Sequence, residues 1–325
     1  MQRYKRAVNN ILILGGSGFV GRSVCDKLVE RSGGAGGQIV VPSRRPPRVK
    51  HLQLLPTVRV VQADVHSATE LHRLVQGADA VINLVAVLHG STAEFKRVHV
   101  ELPHKLADAC NAAGVRRLVH VSALGADEAA PSRYLRSKAA GEAALKAANL
   151  DLTILRPSVI FGEHDHFTNL FATLQALAPF VPLAGAQARF QPVWVQDVAA
   201  AIVRCLDLPS SIGQTFECAG PDVLTLQQIV QIVGRWSGHA RPVFGLPEAL
   251  AQAQAFLMEL APGTPLMSRD NLDSMRVPNV AGGKLPGLEA LGIGASPMSS
   301  VVPGYLSAGR GLARLDGWRA KARRS

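Results

Sequence analysis

GGSGFVG, the stretch from Gly15 to Gly21, decides the fold of this chain. The apolar run NILILG before it predicts a buried strand, and FVGRSVCDKLVERS after it has apolar residues at helical spacing. Glycines in a strand–turn–helix context permit a tight turn, a close approach of the backbone to a pyrophosphate, and close packing of helix on strand. The residues predicted to contact the phosphates are Gly15, Ser17, Gly18, Phe19, Val20 and Gly21.

Outward from this loop, apolar runs alternate with helical patterns along the N-terminal half of the chain. The runs are NILILG, QIVVPSR, VRVVQADV, ADAVINLVA, VRRLVHVSALG and LDLTILRPS. This alternation predicts an α/β fold with a Rossmann-type, doubly wound parallel sheet. After Pro157 the rhythm changes to polar loops and shorter elements, which predicts a smaller C-terminal cap or substrate domain. We assign residues 1–160 to the Rossmann domain, with 190–220 returning to it, 161–190 and 221–309 to the cap, and 310–325 to a basic tail.

The end of the second predicted strand bears on which dinucleotide is bound. NAD sites usually place an acidic residue here, whereas this strand ends in Ser43, Arg44 and Arg45. Guanidinium groups bind phosphate through charge-assisted hydrogen bonds, so the sequence favours NADP(H) over NAD(H). The alternative is that both arginines are exposed loop charges. Asp64 and Val65, after the third strand, are predicted to meet the adenine.

These features combine with Asn83-Leu84, Tyr134-x-x-x-Lys138, Arg156-Pro157-Ser158 and PVWVQDV at 192–198. Together they resemble the extended short-chain dehydrogenases/reductases, the nucleotide-sugar epimerase type. The chain looks most like an atypical branch that contains a nucleotide-binding accessory subunit of respiratory complex I. The resemblance implies further contacts with the nicotinamide dinucleotide by Leu84, Val85, Ala86, Ser122, Tyr134, Lys138, Pro157, Ser158 and Val159.

In active members of that family, four residues cooperate, and only two match here. The resemblance implies that Tyr134 would transfer a proton and that Lys138 would hold the ribose and lower the tyrosine pKa. The serine that orients the substrate oxygen is replaced by Leu124, and the asparagine of the water relay by His99. A leucine cannot hydrogen-bond a carbonyl, so the set is incomplete.

Three functions stay open at this point. In the first, the chain binds NADP(H) for a structural, assembly or redox-sensing role linked to respiratory complex I or quinone metabolism. In the second, it is an active reductase or epimerase that uses Tyr134 and Lys138 on a carbonyl, quinone-like or sugar substrate. In the third, its basic ends bind lipid or nucleic acid, although no specific nucleic-acid module is predicted.

Charge and composition limit the location and the chemistry. The chain of 325 residues has a formal charge of +11, and arginines and lysines crowd both ends. Its four cysteines are scattered and no metal site is predicted. No apolar export segment precedes the first strand, which predicts a cytoplasmic protein, with a peripheral place at the inner face of the membrane left open. The stripe Leu170, Leu174, Leu177 and Val181 predicts one helix face that packs in the core rather than against lipid or quinone.

Overall fold

The computed structural model describes residues 8–260 and 267–307, so the basic tail predicted at 310–325 lies outside the described residues. The strands are β1 Ile11–Leu14, β2 Ile39–Ser43, β3 Val58–Gln62, β4 Ala80–Asn83, β5 Arg117–Val121, β6 Asp151–Pro157, β7 Ile160–Phe161, β8 Val181–Leu183, β9 Arg189–Phe190, β10 Val193–Trp194, β11 Thr215–Cys218, β12 Leu224–Thr225 and β13 Val243–Gly245.

The helices alternate with these strands through the first half of the chain. They are α1 Phe19–Ser32, α2 Ala68–Val75, α3 Thr92–Lys96, α4 Leu102–Ala113, α5 Arg133–Lys146, α6 Thr168–Leu177, α7 Val195–Asp207, α8 Leu226–Ser237, α9 Glu248–Leu260, α10 Arg269–Ser274 and α11 Met298–Leu306. Short 3₁₀ segments occur at Pro46–Leu54, Pro209–Ser211 and Leu288–Leu291, and a π-helical turn at Arg97–Glu101 joins α3 to α4.

Seven strands form one sheet in the order β11-β6-β5-β4-β1-β2-β3, and every pairing in it is parallel. The doubly wound fold predicted from the alternation of strands and helices is therefore confirmed. The strand order reverses between β1 and its two neighbours, β4 and β2, which is where open sheets of this kind form a crevice at their carboxyl ends.

Helices cover both faces of this sheet. One face packs against α1 and α7 through an apolar cluster that includes Val24, Leu28 and Ile202. The other face packs against α2 and α4 through Leu71 and Leu106. Strands that are buried on both faces read as continuous apolar runs, which explains why ILIL and AVIN lack the alternation of a half-exposed strand.

The rest of the chain forms smaller pieces around a separate apolar cluster of α6, α8 and α11. Strand β11, which precedes α8 in the chain, does not belong to this cluster but pairs with β6 at the edge of the main sheet. The domain limits proposed from the sequence stay a prediction. Among the described residues, no helix has both the length and the apolar character needed to cross a bilayer.

The leucine stripe predicted for α6 does not form one buried face. The helix ends at Leu177, whose side chain is 81% exposed, and Val181 belongs to β8 instead. Pro179, two residues beyond the end of α6, is incompatible with helix continuation because it lacks an N–H donor. The prediction that Leu177 packs in the core was therefore wrong.

Candidate functional site

The carboxyl edge of the main sheet gathers the residues singled out in the sequence. Because all seven strands are parallel, segments that follow them emerge on the same side. The glycine loop follows β1, Ser43 ends β2, Asp64 follows β3, and Leu84 follows β4. The remaining positions at this edge are Val65 after β3, Val85 and Ala86 after β4, Ser122 after β5, and Pro157, Ser158 and Val159 at the end of β6.

The glycine loop leaves no space for side chains at its key positions. Gly15 has a φ of +78°, and a Cβ there would lie 3.0 Å from the carbonyl carbon of Leu84. A Cβ on Gly21 would overlap the Cα of Gly16 and approach the Gly15 oxygen to 2.5 Å. These contacts hold the start of α1 directly against the turn.

The first turn of α1 is suited to an anion. Its N-cap is Gly18, which has no capping side chain, and the turn contains no acidic residue. Free N–H groups and the positive end of the helix dipole would therefore face a pyrophosphate, with Ser17, Phe19 and Val20 supplying the surrounding backbone. The loop fits the diphosphate of a nicotinamide dinucleotide.

The region after β2 and β3 is rich in positive charge. Arg44 and Arg45 are exposed, and the Arg45 N–H donates to the Ser43 hydroxyl at 3.2 Å. Burial lowers the pKa of His66 and so do Arg97, Lys105 and Arg44, while Asp64 opposes them. Three cations therefore lie near the Asp64 loop, where they would attract an additional phosphate.

Lys138, which is predicted to lie at the nicotinamide end of the site, is on α5. Its side chain is 2% exposed, and its Nζ donates to the carbonyl oxygen of Val121 at 2.8 Å. Burial lowers the pKa of Lys138 from 10.5 to about 8, against the opposing effect of Glu142. Glu142 is itself buried and accepts two hydrogen bonds from Arg156, at 2.8 and 2.7 Å. The carboxylate of this ion pair lies one helical turn after Lys138 on α5, where its negative charge favours the charged form of the lysine.

Tyr134 precedes Lys138 by one helical turn on α5, as the spacing predicts. Its ring packs edge-on against His99 and Phe95, with centroids 5.6 and 6.2 Å away. Burial raises the pKa of Tyr134 to about 12. Within residues 8–260 and 267–307, no group hydrogen-bonds its hydroxyl. The surroundings of Tyr134 therefore raise its pKa rather than lower it.

His99 has both ring nitrogens engaged with protein groups. It lies in the π-helical turn, where Nε2 accepts the Val87 N–H at 3.1 Å and Nδ1 lies 2.8 Å from the Ser137 hydroxyl. Since Nε2 is an acceptor, the proton of the neutral ring resides on Nδ1 and is donated to Ser137. Burial, and then the charge of Lys138, lower the pKa of His99 to about 3. The histidine therefore holds the Val87 backbone by a hydrogen bond and has no free ring nitrogen for a water relay.

Leu124 and Ser122, which follow β5, differ in their capacity to form side-chain hydrogen bonds. Leu124 is 2% exposed, and its backbone is fixed by a 2.9 Å bond from its N–H to the Pro157 oxygen. Ser122 is also buried, but its hydroxyl has no hydrogen-bond partner in the described part of the chain. Ser122 is therefore a buried polar group with capacity to bind a ligand, while Leu124 has none.

Asn279 is a site residue that the sequence pattern did not reveal. Its Oδ1 accepts the Ser158 hydroxyl at 2.6 Å and the Val159 N–H at 3.1 Å, and its Nδ2 donates to the Leu124 oxygen at 3.3 Å. Val277, two residues earlier, packs against the same apolar cluster as Tyr134, formed by Ala123, Ala130 and Leu135. This segment therefore lies across the ends of β5 and β6, beside the nicotinamide end.

Asp270 is a second residue that sequence reasoning missed. Its carboxylate accepts the backbone N–H groups of Arg133 at 2.8 Å and Tyr134 at 3.1 Å, while the Ser132 hydroxyl accepts that of Leu135 at 3.2 Å. The first turn of α5 is thus satisfied by protein groups, in contrast to the first turn of α1. Among the described residues, no cluster of three His, Cys, Asp or Glu side chains could hold a metal ion.

The fold and the glycine loop define a dinucleotide-binding protein. A family model described as NAD(P)H-binding matches residues 15–209. The mitochondrial NADH dehydrogenase [ubiquinone] 1 alpha subcomplex subunit 9 of Mus musculus is 32% identical over 293 residues, which cover 88% of this chain and 76% of that protein. Its counterpart in Arabidopsis thaliana is 34% identical over 277 residues, covering 81% and 68%. The chain belongs to the NAD(P)H-binding family, in the extended short-chain dehydrogenase/reductase branch that includes these subunit 9 proteins.

Solved structures agree with this fold. An NADPH-dependent quinone oxidoreductase of Escherichia coli, complexed with NADPH, superposes with a TM-score of 0.71 over 90% of this chain and 98% of its own. Sequence identity to it is only 20%, so the likeness concerns the fold. The resemblance stated from the motifs is confirmed, and nicotinamide dinucleotide binding is the function that the family carries. The individual site residues, Tyr134 and Lys138 among them, stay predictions.

Proposed function

We propose that this protein binds NADP(H) in preference to NAD(H) and retains it without efficient turnover. In this role the bound nucleotide stabilises this protein or makes it sensitive to the redox state of the nucleotide pool. The protein itself works beside respiratory complex I, at the inner face of the membrane. The observation that carries the proposal is the contrast between an open phosphate loop and a nicotinamide end where both ring nitrogens of His99 and the amine of Lys138 are bound to protein groups.

The glycine loop would hold the pyrophosphate, and Ser122 and Lys138 would face the nicotinamide ribose. The nicotinamide ring, when bound, supplies the hydride chemistry of this family. Hydride transfer to a carbonyl also needs a group that orients the substrate oxygen and a proton donor. Leu124 provides no hydrogen bond, and the Tyr134 pKa is raised to about 12 rather than lowered. Both features favour retention of the nucleotide over reduction of a substrate.

The preference for NADP(H) is supported by charge. No acidic residue ends β2, and Arg44 and Arg45 follow it directly. Arg97 and Lys105 add positive charge close to the Asp64 loop. A 2′-phosphate would gain charge-assisted hydrogen bonds here that the hydroxyl of NAD(H) cannot form.

Titration of the protein with NADPH and NADH tests the preference. We expect the double substitution Arg44→Ser/Arg45→Ser to weaken NADPH binding by about ten- to a hundredfold, since hydrogen bonds to charged groups contribute about 1.5–3 kcal/mol. NADH binding should hardly change. Arg59→Ser, at an exposed position near the amino end of β3, is the matched control. Equal losses for both nucleotides would contradict the proposed role of these arginines.

The link to complex I is supported by the names of the relatives, which are subunits of NADH:ubiquinone oxidoreductases. The test is purification of the affinity-labelled protein from its own cells in mild detergent, followed by immunoblotting for complex I core subunits. We expect those subunits to copurify with the wild type and less with a variant that cannot bind nucleotide. Absence of core subunits from the wild-type preparation would refute the partner while leaving nucleotide binding untouched.

A further inference from the structure

The solvent-exposed face of α9 is apolar, whereas an ordinary surface helix exposes polar side chains. Ala251 and Ala255 are buried and pack with Ala184 and Leu272. The opposite face presents only apolar residues, all of them exposed: Ala249, Leu250, Ala253, Phe256, Leu257 and Leu260. A helix on a protein surface normally places charged or polar side chains there. The acidic residues of α9 lie to the side, where Glu248 pairs with Arg276 and Glu259 with Arg269.

Two further exposed apolar side chains are Phe244 on β13, which precedes α9, and Phe180, the residue before β8, the strand that pairs with β13. Phe180 and Phe244 are 51% and 57% exposed, and their ring centroids lie 6.4 Å apart. Leu177 at the end of α6 is also exposed, and only Leu246 and Pro247 separate β13 from α9. We call the outer face of α9, together with Leu177, Phe180 and Phe244, the apolar cap surface.

Two segments next to this surface carry positive charge and no negative charge. Residues 166–196 and 223–247, which contribute α6, β8, α8 and β13, contain no aspartate or glutamate. Arg241 is exposed and donates through Nε to the Gln175 oxygen at 3.0 Å, close to Leu177 in the chain. The guanidinium of Arg269 lies 5.1 Å from the centre of the Phe256 ring. Arg269 is paired with Glu259, whereas Arg241 has no acidic partner among the described residues and could meet an anionic group.

We propose that the apolar cap surface is the face by which this protein lies on a bilayer that contains anionic lipids. Its leucines and phenylalanines enter the interface, and Arg241 lies at the level of the headgroups. Ordinary protein interfaces carry about one hydrogen bond per 100–200 Å², whereas the outer face of α9 has no side chain that can form one. This inference rests on the membrane part of the proposed function and names the surface responsible.

Vesicle flotation with the full chain tests the proposal. The vesicles are phosphatidylcholine alone and equal parts of phosphatidylcholine and phosphatidylglycerol. We expect the wild type to float with the anionic vesicles, and Leu250→Gln/Leu257→Gln to lower the partition coefficient at least about tenfold because two leucines no longer enter the interface. Leu54→Gln, at a leucine that is 85% exposed on the Rossmann side, is the control and should bind like the wild type. Arg241→Gln should weaken binding to the anionic vesicles alone.

Three results would overturn the proposal. The wild type could fail to float with either vesicle, or the α9 double variant could float as well as the wild type, in which case the basic ends suffice. Light scattering could instead show a wild-type dimer that the α9 substitutions dissociate, which would make a second copy the occupant. NADPH titration of each variant keeps these outcomes separate from the nucleotide proposal, because the substituted leucines are exposed and lie outside the glycine loop.

Discussion

The two ends of the nucleotide site differ in how their polar groups are used. At the phosphate end, the first turn of α1 starts at a glycine and offers its N–H groups to a ligand. At the nicotinamide end, the first turn of α5 is satisfied by Asp270 and Ser132, and His99 bonds to Val87 and Ser137. Backbone N–H donors are thus open to a ligand at the predicted phosphate end and bonded to side chains at the predicted nicotinamide end.

The strongest way to break this comparison is to fill the phosphate end. Gly21→Val should lower NADPH affinity at least about a hundredfold, because its Cβ would overlap the Cα of Gly16 and push α1 away from the turn. Fluorescence titration measures the loss. Gly294→Ala is the control, since no atom lies within 4 Å of a Cβ built there. Retained affinity in the valine variant would mean that the nucleotide does not use this loop.

The nicotinamide end can be opened at Asn279. Asn279→Ala should lower the free energy of unfolding by about 1–3 kcal/mol, because it removes the partners of the Val159 N–H and the Leu124 oxygen. Asn279→Asp keeps an acceptor for the Val159 N–H, but a charged carboxylate cannot donate to the Leu124 oxygen. Its loss of unfolding free energy should therefore be smaller at pH values where the carboxyl group is partly protonated. Urea unfolding gives both values, and an alanine variant as stable as the wild type would show that the segment does not hold this end together.

The buried lysine gives a pH signature. The pKa of Lys138 is lowered in the folded protein from 10.5 to about 8, so between these values the unfolded chain binds more protons and stability rises with pH. The unfolding free energy of the wild type, measured against Lys138→Met, should increase by about 2 kcal/mol between pH 8 and pH 10. Parallel curves for the two proteins over that interval would show that Lys138 is not buried as a perturbed cation.

The smallest effect is expected at the tyrosine. Tyr134→Phe should change NADPH affinity by less than about tenfold, the range of one ordinary hydrogen bond, and should leave the rate of NADPH oxidation unchanged with quinones and carbonyl compounds. An active reductase would lose at least about a hundredfold in rate when its proton donor is removed. A wild-type rate that disappears in the phenylalanine variant would restore the catalytic interpretation.

The phosphate end could be predicted from sequence because its signal is local. The strand, the glycines and the helix lie within one short stretch, and packing alone requires glycine at Gly21. The parallel sheet followed from a repeated pattern of apolar runs. Asn279 and Asp270 could not be predicted, since they reach their partners across 120 and 136 positions of the chain from a segment without periodic pattern. The packing of Leu177 was misjudged because helical spacing does not show where a helix ends.

Asp270 also has a consequence for how the molecule is assembled. The helix that carries Tyr134 begins near the middle of the chain, yet the carboxylate that completes its first turn is supplied late in the sequence. A fragment that stops after β11 would keep every strand of the main sheet but leave two backbone donors of α5 without this partner. Closure of such a long loop is entropically costly and delays folding. The tyrosine helix should therefore acquire its final protection from hydrogen exchange only after the C-terminal part of the chain has docked.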